Sequence, residues 1–183
     1  MSDLQDYLVQ KREALLERRA AVAAGGLGVT PFTAQARAEG RSGVRRIRIR
    51  DHQIVSDSPP SFAGYDLGPG SPEILLGSLA SCLTHTWLIH AADQRLPLES
   101  VEAEARGRLD ARAGTPGFED VPVHPHEISF TVRVLSSASP EAVAAVEAAV
   151  RKFCPILNLL GRAVEIRGEL IHETPDSVRS DVA

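Results

Sequence analysis

Between residues 71 and 93 the chain carries a helical segment that is apolar on nearly every side, and the rest of the fold has to be built around it. Ile74, Leu76, Leu79, Leu83, Trp87, Leu88 and Ala92 are only part of the apolar set, which covers almost the whole circumference. A helix of this kind is expected to be buried on most sides. Its start is well signalled: Ser71 as a cap, Pro72 in the first turn and Glu73 beside the positive end of the helix dipole. The few polar residues, Ser78, Ser81, Cys82 and His85, are spaced three and four apart and therefore share one side.

The remaining elements are short. Residues 2–24 read as a helical arm stopped by Gly25, Gly26 and Gly28, laid against the domain or against a partner subunit. Residues 32–51 suggest two strands around a turn at 39–43, and 56–72, rich in Pro and Gly, reads as an extended connection. Alternation predicts strands at 101–109 and 128–135, with a loop at 110–125 between them. Ser139 caps a second helix over 140–153, and a last strand is expected at 164–171. A length of 183 residues suits one domain. The expected division is an arm at 1–28, a domain at 29–174 and a frayed tail at 175–183.

A net charge of −4 gives no overall basic bias toward nucleic acid. The local cluster Arg45, Arg46, Arg48 and Arg50 reads as the solvated face of a strand. With no apolar signal region at Met1 and no run read as long enough to span a bilayer, no membrane partner and a cytoplasmic location are expected. Two cysteines do not make a disulfide framework, so each is either a buried apolar residue or chemistry.

Cys82 lies on the one polar side of the core helix, as a reactive thiol in a small apolar pocket would. Its thiolate needs stabilising charge. The helix dipole is too far away, because Cys82 stands about 15 Å along the axis from the helix start and the effect fades within a turn. A cation from elsewhere is required. Cys154 precedes Pro155, which disfavours helical geometry at residue 154 and places this thiol at a helix end. His85, one turn from Cys82, is either a hydrogen-bonded core or interface histidine, or the partner of a Cys–His nucleophile or metal site. His124 and His126 alone do not close a metal site, and no metal is expected.

The run Ser71-Pro72-Glu73-Ile74-Leu75-Leu76-Gly77-Ser78-Leu79-Ala80-Ser81-Cys82 resembles the cysteine motif of the OsmC/Ohr family (osmotically induced protein C and organic hydroperoxide resistance protein), and Phe153-Cys154-Pro155 resembles its second. The order of elements agrees from residue 32 to 171. The resemblance implies an α+β fold with antiparallel sheets around a buried central helix, in an intertwined homodimer with active sites at the subunit interface. It also implies a peroxidase that reduces organic hydroperoxides through a cysteine sulfenic acid and an intramolecular disulfide, without a cofactor.

Carried over residue by residue, Cys82 falls on the peroxidatic position and Cys154 on the resolving one. Arg41, in Gly40-Arg41-Ser42-Gly43, matches the arginine that holds the thiolate, with Arg37 and Arg45 as alternatives, and Glu73 matches the arginine's partner carboxylate. Glu73 stands nine residues before Cys82, the spacing of OsmC-like relatives rather than of the Ohr branch. Ohr members are recycled by dihydrolipoyl groups, so the implied reductant is a thiol, with a lipoylated protein as one candidate. Leu79, Leu83 and His85 are expected to line the substrate pocket with residues of the partner chain. Two other readings stand beside this one: a non-catalytic binder of apolar ligands with the same fold, and a Cys–His hydrolase or metal protein.

Overall fold

The computed structural model describes residues 3–40, 42–172 and 174. The chain is α+β, with its strands in two small antiparallel sheets. Helix α1 (Asp3–Ala23) leads into strands β1 (Gln35–Ala38), β2 (Arg45–Ile49) and β3 (His52–Ser56), which form a sheet in that order. Helix α2 (Ser71–Gln94) follows, then strands β4 (Leu98–Arg108) and β5 (His126–Ser136), paired with each other, and helices α3 (Pro140–Phe153) and α4 (Pro155–Leu160).

The core forms where α2 crosses the β4–β5 pair. Val101, Ala103 and Ala105 stand opposite Val134, Val132 and Phe130, and these side chains pack against the core. Alanines at two of the β4 positions leave room for a helix to lie close. At Gly107 the helix comes close as well: a Cβ there would meet Leu76 side-chain carbons at 3.5 and 3.6 Å. Leu79, Leu83, Trp87, Ala91 and Ala92 of α2 are buried with Leu98 of β4 and Val146 and Val150 of α3. Helix α1 lies on the outside of α2, with Leu8 buried and Arg19 forking onto Asp93 through two hydrogen bonds of 2.7 Å.

Several expectations change. The cap of α2 is Gly70 rather than Ser71, and Glu73 closes the first turn by accepting the Gly70 N–H at 2.6 Å. The side of α2 bearing Ser78, Ser81 and His85 is exposed, so within one chain the helix is not covered on most sides. By length and composition α2 meets the requirement for crossing a membrane, contrary to the expectation that no run would. Between Glu73 and Asp93 its polar interruptions are Ser, Cys, Thr and His rather than charges, which leaves the run apolar on average. In the structure it packs against α1, β4, β5, α3 and α4.

Residues 56–72 are organised rather than simply extended. The Asp57 carboxylate, buried in the loop, accepts N–H groups of Tyr65 and Leu67 through Oδ2 at 2.9 and 3.2 Å. Gly68 permits this folding back, since a Cβ there would lie 2.3 Å from the Val55 carbonyl oxygen. Strand β3 and helix α4 were not anticipated. The strand expected at 164–171 does not form: none of the described strands lies alongside it, and Ile166 and Leu170 are 92% and 91% exposed. A strand needs a neighbouring backbone for its hydrogen bonds. The tail from 175 lies outside the described residues.

Candidate active site

Cys82 and Cys154 are 72 residues apart in sequence, yet their sulfurs lie 3.4 Å apart, both as free thiols. Cys82 sits in the fourth turn of α2, half-buried, whereas Cys154 is completely buried in the junction between α3 and α4. Pro155 makes that junction. It forces residue 154 out of helical geometry, to φ −70 and ψ 113, so that Cys154 ends α3 and begins α4. The Cys154 N–H donates to the Val150 carbonyl at 2.9 Å, and its carbonyl accepts from Asn158 N–H at 3.0 Å. The backbone at Cys154 is therefore held on both sides while its side chain points at Cys82.

Burial pushes the Cys82 thiol above its ordinary value, and the neighbouring Cys154 thiol pushes the same way. The opposing groups are neutral donors: the backbone N–H of Ile156 and the hydroxyl of Thr86. Ile156 carries the first N–H that α4 can offer, because Pro155 has none. The Thr86 hydroxyl has a single proton, and in the structure it goes to the Cys82 carbonyl at 2.7 Å, one turn back, which leaves the Ile156 N–H as the donor facing the sulfur. The opposing groups do not outweigh the burial, and no cation is among them.

The thiol opens into a groove of about 870 Å3 lined by Cys82, His85, Ile89, Phe153 and Pro155, with Lys11, Leu15 and Arg18 of α1 on the opposite side. His85 lies in the groove wall but makes no hydrogen bond to Cys82, and burial together with nearby Lys11 lowers its pKa. Leu79 and Leu83 are 1% and 0% exposed and belong to the core rather than to the groove wall. Periodicity put them near Cys82 along the helix but could not say which way the pocket opens. Among the described residues, no group of three or more His, Cys, Asp or Glu side chains is placed to hold a metal ion.

The expected charge partners are spread apart. Arg41 lies outside the described residues. On either side of it in sequence, Gly40 takes a left-handed φ of 58 and the Ser42 hydroxyl donates to the Glu39 carbonyl at 2.9 Å. Arg45 is engaged by the Gly43 and Asp57 carbonyls and the Ser56 hydroxyl at 2.7, 3.0 and 3.1 Å. Arg37 lines a separate hollow over β1 and β2 with Glu39 and Arg46. Glu73 is at the start of α2, about 13 Å along the axis from Cys82, where it lines a different cavity with Asp57, Asp66 and Arg108. Within one chain, then, the structure brings the two thiols and His85 together and leaves Glu73 apart from them.

Sequence reasoning missed Thr86, the Ile156 amide and the contribution of α1. The Thr86 signal was present, since Thr86 follows Cys82 by one helical turn. Pro155 was read as ending a helix, although proline in a first turn marks a helix start equally well.

Residues 64–169, more than half of the chain, match the OsmC-like protein family. The fold resembles that of an OsmC-like protein from Mycoplasma pneumoniae, with 19% identity, a TM-score of 0.62, and coverage of 73% of this chain and 89% of that one. It also resembles an OsmC-like protein of unknown function from Vibrio cholerae, at 15% identity and a TM-score of 0.58, covering 72% and 94% of the two chains. A third likeness is an organic hydroperoxide resistance protein OsmC from Legionella pneumophila, at 16% identity and a TM-score of 0.52, covering 73% and 91%. No curated protein matches the sequence significantly. Matched along most of its α2-to-α4 region and alike in fold to these solved structures, the chain belongs to the OsmC-like family.

Proposed function

We propose that the protein is a thiol peroxidase that reduces organic hydroperoxides through Cys82 and Cys154. The observation that carries this reading is the pair of reduced sulfurs 3.4 Å apart at the edge of a largely apolar groove. The Cys82 thiolate attacks the terminal oxygen of the hydroperoxide. A sulfur–oxygen bond forms, the oxygen–oxygen bond breaks, and the departing alkoxide takes a proton and leaves as the alcohol. Cys82 is then a sulfenic acid. Cys154 attacks it, a disulfide forms, and the hydroxyl leaves as water with the Cys154 proton. An external dithiol returns both cysteines to thiols and is itself oxidised. Closing the sulfurs from 3.4 Å to the disulfide distance of about 2.05 Å asks for little movement. The reducing equivalents the cycle consumes are the ground for assigning it to the cytoplasm.

A second copy of the chain completes the reading. The chain exposes 14016 Å2, against about 8,600 Å2 expected for a folded monomer of its mass. The apolar residues of the first sheet, Ile49, Ile54 and Val55, are exposed, and this sheet packs extensively only on itself. Lys11 and Arg18 line the groove but do not act on the thiol, and a partner covering that surface would supply the cation on it, assigned to Arg41, with Glu73 positioning it. The unpaired stretch 164–171 would find its neighbouring strand in the same assembly.

A rival reading, a binder of apolar ligands with cysteines that do no chemistry, is favoured by one observation, the raised Cys82 thiol. A peroxide-consumption assay separates the two. It compares an alkyl hydroperoxide with hydrogen peroxide, using dithiothreitol and dihydrolipoamide as alternative reductants. Turnover that prefers the alkyl hydroperoxide supports the peroxidase, and absence of turnover with either reductant rejects it.

A further inference from the structure

The junction between α3 and α4 is short of hydrogen-bond donors, and one side chain makes up the deficit. In a continuous helix the Arg151 and Lys152 carbonyls would accept the N–H groups of residues 155 and 156. Pro155 has no N–H, and that of Ile156 faces the Cys82 sulfur instead. The Asn158 side chain, one turn past Cys154, takes both places. Its Nδ2 lies 3.2 and 3.3 Å from the Arg151 and Lys152 carbonyl oxygens, and 2.9 Å from that of Cys154. Two N–H groups are thus shared among three acceptors. The amide can stand only this way round, because the opposite orientation would set its oxygen against three carbonyls. Its Oδ1 is engaged by Arg162 Nη2 at 3.4 Å.

Both groups that approach Cys82 from this side belong to the segment so held: the Cys154 sulfur at 3.4 Å and the Ile156 N–H. Cys154 is the single non-helical residue between the two helices, and the amide ties the first turn of α4 to the last turn of α3 across it. Sulfur is a weak acceptor and a carbonyl a strong one. For the Ile156 N–H to face the sulfur, the Lys152 carbonyl has to be satisfied from elsewhere, and Asn158 does this. We propose that Asn158 is a positioning residue for the two thiols: by capping α3 across the junction it fixes the Cys154 sulfur against Cys82 and leaves the Ile156 N–H to the Cys82 sulfur. Its effect on turnover rests on the peroxidase reading, whereas the positioning does not. All the groups involved belong to one chain.

The test compares wild type with Asn158→Leu, which keeps the side-chain size, removes the amide and favours helix more than asparagine does. Leu98→Ala, a truncation of a fully buried residue of β4, is the control for lost stability alone. The first arm needs no peroxide: the Cys82–Cys154 disulfide is equilibrated with mixtures of reduced and oxidised glutathione. Asn158→Leu should lower the equilibrium constant for closing the disulfide by about tenfold, equivalent to a reduction potential about 30 mV higher. Leu98→Ala should stay within about twofold of wild type. An unchanged constant in Asn158→Leu, or an equal fall in both variants, overturns the proposal. The second arm is the pH dependence of iodoacetamide alkylation at Cys82, which should move up in Asn158→Leu as the sulfur loses its donor. An unchanged profile overturns the part assigned to the Ile156 N–H. The third arm uses an alkyl hydroperoxide. A misplaced Cys154 should resolve the sulfenic acid more slowly, so Cys82 should reach the sulfinic acid at about tenfold lower peroxide than in wild type. Over-oxidation at the wild-type concentration overturns the effect on turnover. If the wild type consumes no hydroperoxide, the peroxidase reading falls and the first two arms alone decide the positioning.

Discussion

The Cys82 and Cys154 sulfurs meet at 3.4 Å although one lies mid-helix and the other at a helix junction. One equivalent of an organic hydroperoxide should therefore convert the reduced protein to a Cys82–Cys154 disulfide, with the loss of two hydrogens by mass. Cys154→Ser should stop at the sulfenic acid and over-oxidise with excess peroxide. Cys82→Ser should be inert, and peroxide consumption by that variant at the wild-type rate rejects the mechanism.

The ionisation of Cys82 tests the missing charge. Burial raises this thiol within one chain, so a group whose neutral form is favoured must receive a cation before it reacts near neutral pH. The pH dependence of iodoacetamide alkylation should place Cys82 lower in the wild-type assembly than in Arg41→Ala, by about one unit or more. An unchanged profile in folded Arg41→Ala would reject Arg41 as that cation and turn attention to Arg37, because Arg45 is already held by Gly43, Ser56 and Asp57.

Glu73 has one observed role and one proposed role, and a single variant distinguishes them. Its Oε2 closes the first turn of α2 on the Gly70 N–H, so Glu73→Ala should destabilise the protein by about 1 kcal/mol, the usual cost of a lost cap. Denaturant unfolding measures this. If Glu73 also positions Arg41, the alkylation profile of Cys82 should move up in the same variant, though less than in Arg41→Ala. A stability loss with no shift leaves the carboxylate as a cap alone.

Association is the fourth expectation. Sedimentation at micromolar concentration should give twice the chain mass of 19.6 kDa, because a monomer would leave the first sheet's apolar residues and residues 164–171 exposed. Observing a mass of one chain removes the second copy from the proposed site.

The core offers a control without any bearing on chemistry. Leu83, adjacent to Cys82 in sequence, is 0% exposed, and Leu83→Ala should cost about 2–5 kcal/mol by loss of contacts and creation of a cavity. A drop this large in thermal or denaturant unfolding shows that the face of α2 opposite the groove is packed.

Sequence alone determined the elements with strong local signals. Helix α2 spans residues 71–94 where periodicity and the Pro-Glu start placed 71–93, and α3 spans 140–153 as the Ser139 cap and the following repeat indicated. Helix period and caps depend on residues within a turn of each other, so they can be read locally. The run ending in Cys82 and the Cys154-Pro155 pair were legible in the same way, as short motifs, and they carried the family. Tertiary structure decided what depends on distant partners. The 3.4 Å contact joins residues 72 positions apart, and no periodicity encodes that distance. Leu79 and Leu83 were legible as apolar, but only packing against β4 and α3 turned them into core rather than pocket wall. Residues 164–171 alternate like a strand, yet β-structure is a property of two backbones, and one chain has no described strand alongside them. The groove is likewise tertiary: α1 forms one wall of the cavity that holds a thiol more than sixty positions away from Lys11 and Arg18, held there by buried Leu8 and the Arg19–Asp93 fork. Local pattern specifies the helices and the thiols they carry, while long-range packing specifies what each thiol faces.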